Sequence, residues 1–385
     1  MLSISDLRSL GLDVFHGDTC IVLRQFVHQP SSEVSALSEV EHKTTKIPQM
    51  GAGRIHDEFD VAKLCQIGTV SEVQERAAKA REENSKKGQW ARDAYEVLEI
   101  LAAGCYRAQG SNNKVDIRIA IQEAVAKSDY YSTSEWRSAT LPRPRFAACE
   151  AVEVWNCTVL SATQSLAGSQ KGFGCLAALN FASARNPGGG FTTGAAAQEE
   201  SIARSSALYP CLTKHFDSFF VPSRHAESGA YTHDMIYSPG VPVVRDDVGQ
   251  LLEAPYFVDF LTAAAPNVGS LWHKHRDRAP AEAEVLLRER VSRVLELFAR
   301  SGAVDLVLGA WGCGVFRNEP STVAELFASE LRGRCRGQFH RVVFAVLDAR
   351  MAKVFGDTFG VEVAPPESAG SKWGAERKWG NAPRA

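Results

Sequence analysis

The chain has no apolar run approaching the ~18 residues that a membrane-crossing helix needs. It has no charge surplus: 43 lysines and arginines against 45 aspartates and glutamates leave a net charge of -2, so nothing draws it as a whole to nucleic acid or an anionic membrane. Its nine cysteines are odd in number, and no two stand at zinc-ligand spacing. Most are flanked by apolar or small residues and read as buried thiols, which fits a reducing compartment; an intracellular location, cytoplasmic or nuclear, is expected. The opening "MLSISDLRSLGLDVF" lacks the basic start, apolar core and small-residue cleavage site of a secretory leader. No Gly-Lys-Ser/Thr follows a glycine loop, which excludes a Walker phosphate loop, and no internal repeat is present.

What the chain does have is length, an apolar share of 45%, and a change of pattern along its 385 residues. Residues 1–60 are rich in turn formers and polar groups and read as a partly ordered extension. From there the periodicity turns helical. Ala94, Val97, Leu98 and Leu101 fall on one helix face, and "VDIRIAIQEAVAKSDYY" reads as a second amphipathic helix, so 61–142 is expected to be a helical region packed on the core. After Pro142, apolar strand-like runs alternate with long helical ones: "AVEVWNCTVL", "CLAALNFAS", "YFVDFLTAAA", "EAEVLLRERVSRVLELFARS", "VDLVLGAWG" and "RVVFAVLD". That alternation predicts an α/β domain over 143–362, with a mostly parallel sheet covered on both faces. The polar end, 363–385, reads as a flexible tail.

Two segments carry the chemistry. In "LNFASARNPGGGFTTGAAAQEES" a buried strand leads into Asn186 and three glycines, Gly188, Gly189 and Gly190, and then into a helix whose first turn holds Glu199 and Glu200. Ligands of open α/β sheets bind at the carboxyl ends of strands, where glycines let backbone N–H groups approach phosphate oxygens. Acidic residues suit the positive end of a helix. The same residues would also suit an ordinary loop and an ordinary first helical turn. The dinucleotide fingerprint fits poorly, since "GGGFTTG" lacks its spacing. The second segment, "VDLVLGAWGCGVFRNEP", repeats the strand, glycine turn and helix order, with Gly312, Cys313, Gly314, Val315 and Phe316 in the turn. Two such loops at the ends of parallel strands can clamp a diphosphate, and Phe316 can pack on a ribose or fill the core.

Gly188–Gly190 followed after seven residues by Gln198-Glu199-Glu200, together with "QEESIARSSALYPCL", "MIYSPGVPVVRDD", "TAAAPN" and "GAWGCGVFRN", resembles the microbial-type poly(ADP-ribose) glycohydrolases over roughly 94–355. The resemblance implies a macrodomain-like mixed central sheet flanked by helices, with an N-terminal helical extension. It implies hydrolysis of the ribose–ribose O-glycosidic bonds of poly(ADP-ribose), without a cofactor or metal. By motif, Glu200 would be the general acid/base and Glu199 would hold ribose hydroxyls. Gly188, Gly189, Gly190 and the loop from Gly312 to Phe316 would bind diphosphate and terminal ribose, with Gln198, Asn180 and Asn186 shaping the ribose site. Partners would be poly(ADP-ribose), ADP-ribose and poly(ADP-ribosyl)ated proteins, with neither direct DNA binding nor membrane contact. A binding module that reads ADP-ribose, or a hydrolase of mono-ADP-ribosylated protein, are the rival functions; the paired acids speak against a pure reader.

An electrostatic tension attends this reading. A helix N-terminus favours a charged carboxylate, whereas an acid catalyst must hold a proton; the like charge of Glu199 and a bound diphosphate are expected to oppose the dipole at Glu200. Neighbouring helix residues point ~100° apart, so the two acids are expected to do different jobs. The basic run His273–Arg278 reads as a solvated loop, Arg332, Arg334, Arg336 and Arg341 fit polymer phosphates and an ordinary helix end plus loop equally well, and Pro210 is expected to end or kink the helix that begins near Gln198. Tyr231 and His233 are candidates for the cleft wall.

Overall fold

The structure is a computed structural model describing residues 85–108, 110–134, 141–146, 151–169, 175–225 and 228–365. The extension over 1–60 and nearly all of the tail lie outside them. From the N-terminal side come α1 (Lys86–Ala103), a hairpin of β1 (Cys105–Arg107) and β2 (Lys114–Asp116), α2 (Arg118–Lys127) and β3 (Asp129–Tyr131). Next are β4 (Ala151–Trp155), α3 (Val159–Ser169), β5 (Cys175–Phe181), α4 (Gln198–Ser205), α5 (Leu208–Thr213) and α6 (Val221–His225). Last come β6 (Met235–Arg245), β7 (Leu251–Ala263), α7 (Val268–His275), α8 (Ala279–Arg300), β8 (Ala303–Leu308), α9 (Pro320–Arg332), β9 (Arg341–Ala345), α10 (Ala349–Phe359) and β10 (Val363–Ala364).

One sheet of eight strands runs in the order β10-β4-β9-β8-β5-β7-β6-β3. From β10 to β7 the neighbours are parallel; β6 lies antiparallel to β7, and β3 antiparallel to β6. The strand "CLAALNF" is buried because both faces are covered. Leu176 and Ala178 point into one apolar cluster with α1 and α3–α5, whereas Ala177 and Leu179 point into the other with α8–α10. The second cluster gathers Leu287, Val291, Val294, Leu295 and Phe298 from one face of α8, each contributing roughly 1.5–3 kcal/mol by leaving water.

The expected mixed α/β sheet flanked by helices is present. The stretch read as helical over 61–142 holds α1 and α2 among its described residues, but also three strands. The adjacent tyrosines Tyr130 and Tyr131 do not extend α2: they pair with Ile236 and Met235 at the edge of the sheet, where aromatic residues suit a half-covered pleat. Helix α1 forms where its periodicity placed it. Ser85 caps the start by accepting from the N–H of Gly88, left-handed Gly104 ends it, and Ala94, Val97, Leu98 and Leu101 are buried. Pro210 kinks nothing: α4 has already ended at Ser205, and the proline sits in the first turn of α5, where a missing N–H costs little.

Candidate active site

A cleft of about 680 Å³ opens at the carboxyl ends of β4, β5, β7, β8 and β9. Its walls come from Phe181–Ser183 after β5, Ala196–Ile202 at the start of α4, the turn 310–316 after β8 and the segment 345–348 after β9. Among the described residues lining it there is no lysine, arginine or histidine, while Glu199, Glu200 and Asp348 are present. Negative charge on a ligand must therefore be met by backbone N–H groups and helix ends, and the acids must face its uncharged parts.

Glu199 and Glu200 sit in the first turn of α4 and part ways. Glu199 is 2% exposed. Its Oε2 accepts from the N–H of Ser183 at 2.6 Å, and its Oε1 lies 3.4 Å from the amide of Asn180, which also donates to Thr262. Burial, opposed by the Ser183 bond and helped by the charge of Glu200, pushes its pKa from 4.5 up to about 8. Desolvation therefore outweighs the helix dipole at Glu199, the deeper of the two glutamates. Glu200 is half-buried on the cleft wall, and its Oε1 accepts from the N–H of Gly190 at 2.9 Å.

The shift at Glu199 links stability to pH. Between about 4.5 and 8 the folded protein keeps a proton that the unfolded chain has released. The stabilisation this represents is fully present below the lower value and is lost as pH rises through the upper one. Thermal unfolding of the wild type should therefore fall in midpoint across this window more steeply than that of Glu199→Gln. Parallel midpoint curves for the two proteins would contradict the assignment.

The triple glycine is the frame of the acids. Gly188, Gly189 and Gly190 are not among the residues lining the cleft; Gly189 packs against both carboxyl groups, Gly188 against Phe191 and Ala203, and Gly190 against Ala195 and Thr193. Gly189 has φ +60°, and a Cβ built there would fall 2.2 Å from Oε1 of Glu200 and 3.3 Å from Oε2 of Glu199. Asn186 is exposed, accepts from Arg224 at 3.0 Å, and opens the turn through its carbonyl, which accepts from Gly189 N–H. It holds the glycine turn and does not line the cleft. Asn180 is fully buried beneath Glu199. Gln198 reaches the cleft wall, yet both ends of its amide are engaged by β5: it accepts from Phe181 N–H at 2.8 Å and donates to the carbonyl of Leu179 at 2.7 Å. It ties the start of α4 to the strand. Gln198→Met leaves both backbone groups without these bonds and should lower stability by about 2 kcal/mol, read by urea denaturation.

The opposite wall is the turn after β8. Gly312, Gly314, Val315 and Phe316 line the cleft, and the N–H groups of Gly314, Val315 and Phe316 donate to no backbone carbonyl among the described residues. Asn318 clamps the turn by donating to the carbonyls of Pro266 and Gly312. Phe316 packs on Tyr231, with ring centroids 5.9 Å apart. Cys313 is buried with its pKa pushed up to about 12, chiefly by burial, which is unlike an activated nucleophile. His233 does not line the cleft; its Nδ1 accepts from the buried Arg290. His273, Lys274, Arg276 and Arg278 are exposed at and after the end of α7, as solvated side chains are.

Sequence reading missed Ser183, Asn318 and Trp311, whose indole N–H donates to the carbonyl of Ala263 beneath the cleft. All three act through backbone groups, and only "GAWGCGVFRN" gave any sign of two of them.

A family model described as the microbial-type poly(ADP-ribose) glycohydrolase catalytic domain matches residues 94–246. The solved poly(ADP-ribose) glycohydrolase of Thermomonospora curvata is similar at 39% identity, with 70% of this chain and 99% of that one covered and a TM-score of 0.63. The same enzyme bound to the inhibitor ADP-HPD matches at 40% identity, 70% and 98% coverage and a TM-score of 0.63. A Deinococcus radiodurans poly(ADP-ribose) glycohydrolase in complex with ADP-ribose matches at 40% identity over 62% of this chain and 96% of that one, with a TM-score of 0.57. A search of curated proteins finds no match.

Proposed function

The chain belongs to the microbial-type poly(ADP-ribose) glycohydrolases, and from that membership we propose how its cleft divides the hydrolysis of poly(ADP-ribose) between its residues. The observation that carries the proposal is the setting of Glu200: on the cleft wall, held by the N–H of Gly190 at 2.9 Å, across from the turn 312–316.

With substrate bound, Glu200 carries a proton and donates it to the glycosidic oxygen. The bond from that oxygen to the anomeric carbon breaks, the electron pair goes to the oxygen, and the ribose carbon gains oxocarbenium character. A water then adds to that carbon and returns a proton to Glu200, which restores the acid. Glu199, deeper and neutral at pH 7, can both donate to and accept from ribose hydroxyls beside the bond. The backbone of Gly314, Val315 and Phe316 receives the diphosphate through N–H groups, and the ring of Phe316 positions the terminal ribose. The role expected for Gly188–Gly190 changes accordingly, from holding diphosphate to holding the two carboxyl groups. Poly(ADP-ribosyl)ated proteins are the proposed macromolecular substrates.

The test is to incubate the protein with labelled poly(ADP-ribose) and, separately, with mono-ADP-ribosylated protein, and to measure free ADP-ribose. Release from polymer supports the proposal. Release from the second substrate alone would assign a different hydrolase, and release from neither would leave a reader of ADP-ribose.

A further inference from the structure

We infer that Arg204, which lies outside the cleft wall, is a positioning residue for Glu200, and that helix α1 holds it in place through Trp90. The inference rests on the role of Glu200 proposed above.

Arg204 lies in the last turn of α4 and is 5% exposed. Its Nη1 reaches back along the helix to donate to the carbonyl of Ala195 at 2.5 Å, just before α4 begins, and its Nη2 donates to Ser201 at 3.2 Å. A guanidinium so buried, in no ion pair among the described residues, costs desolvation, which indeed lowers its pKa. The contacts show what offsets that cost. The peptide it grips continues directly to the acid: Ala195 N–H donates to the carbonyl of Gly190 at 3.2 Å, and Gly190 N–H donates to Oε1 of Glu200 at 2.9 Å. Arg204, Ala195, Gly190 and the Glu200 carboxyl group thus form one hydrogen-bonded series through the loop. The charges of Glu200 and Asp93 favour the cation and that of Arg245 opposes it.

The far side of the guanidinium is covered by α1. Its carbon lies 5.4 Å from the ring centroid of Trp90, in a cation–π contact. One turn earlier, α1 touches the same loop with its backbone. Gly194, at φ +76°, is so close that a Cβ there would fall 2.2 Å from the carbonyl oxygen of Lys87. Trp90 and Lys87 precede the segment that matches the family model, which begins at residue 94. The first turns of α1, outside that segment, therefore bear on the carboxyl group twice: directly at Gly194 of the loop that holds it, and through Arg204.

Lysine cannot reproduce the fork that bonds Ala195 and Ser201 together. In the full chain, Arg204→Lys should lower kcat on poly(ADP-ribose) by about 100-fold, as a misplacement of a reacting group by ~1 Å does. The Kd for ADP-ribose, measured calorimetrically, should stay near the wild-type value. Trp90→Ala should act in the same direction by a smaller factor, Trp90→Phe should restore turnover, and Trp90→Ala should add nothing in the Arg204→Lys background. In a Glu200→Gln background neither change should lower the residual rate further. The inference is overturned if Trp90→Ala and Arg204→Lys lower the unfolding temperature but leave kcat intact, or if they weaken ADP-ribose binding as much as turnover. Should Arg204→Lys fail to fold, the half-buried Trp90 pair decides: equal kcat for Trp90→Ala and Trp90→Phe overturns it. A wild-type rate for Glu200→Gln would instead sink the assignment of the acid, independently of Arg204.

Discussion

Glu200→Gln should lower poly(ADP-ribose) turnover by about 1,000-fold, in the range that a positioned general acid/base contributes, and should leave ADP-ribose binding almost unchanged. The substitution conserves shape. A glutamine carboxamide oxygen can still accept from the N–H of Gly190, so the loop keeps its geometry, but the amide has no carboxyl proton for the leaving oxygen. Release of labelled ADP-ribose measures the first effect and calorimetry the second. Polymer hydrolysis at the wild-type rate would remove Glu200 from the reaction. Glu199→Gln makes the contrast. Below about pH 8 the buried Glu199 carboxyl is neutral, so glutamine imitates it closely, and at pH 6 its loss of turnover should be far smaller than that of Glu200→Gln.

Gly189→Ala should come second, lowering turnover by about 100-fold with no change in any group that meets the substrate. Two costs combine. The residue has φ +60°, where a side chain is strained by roughly 1–2 kcal/mol, and the added methyl would stand 2.2 Å from Oε1 and 2.8 Å from Cδ of Glu200. Something must move, and the carboxyl group is the nearest atom set. The expected signature is a large fall in kcat beside a modest fall in unfolding temperature. A variant that loses stability but keeps kcat would show that the glycine serves folding alone.

Much of this was legible in the sequence because it is local. The strand "CLAALNF", the glycines and the acids lie within thirty residues of one another, and the order strand, loop, helix places them at the carboxyl end of a sheet. The ~100° turn between Glu199 and Glu200 already separates their tasks. Which of them is buried depends on β5 and Ser183, and no spacing reports that. Gln198 reads as a ligand because a polar residue beside two acids suggests a site; its amide, with one donor and one acceptor, matches a strand's backbone equally well, and the fold chose the strand. Tyr130 and Tyr131 read as helix because they follow one without a break in polarity, while the edge of β6 that captures them is over a hundred residues away. Nothing in "QEESIARSS" singles out Arg204. Its meaning comes from Trp90 on one side and Ala195 on the other, and only folding brings those together.

The central claim, that Glu200 supplies the proton to the leaving oxygen, is tested most directly by changing the leaving group. The wild type and Glu200→Gln are compared on poly(ADP-ribose), whose leaving group is a sugar hydroxyl, and on an ADP-ribosyl substrate that departs as nitrophenolate and needs no proton. The account predicts that the variant loses about 1,000-fold on polymer and much less on the nitrophenyl substrate. Equal losses on both would contradict it.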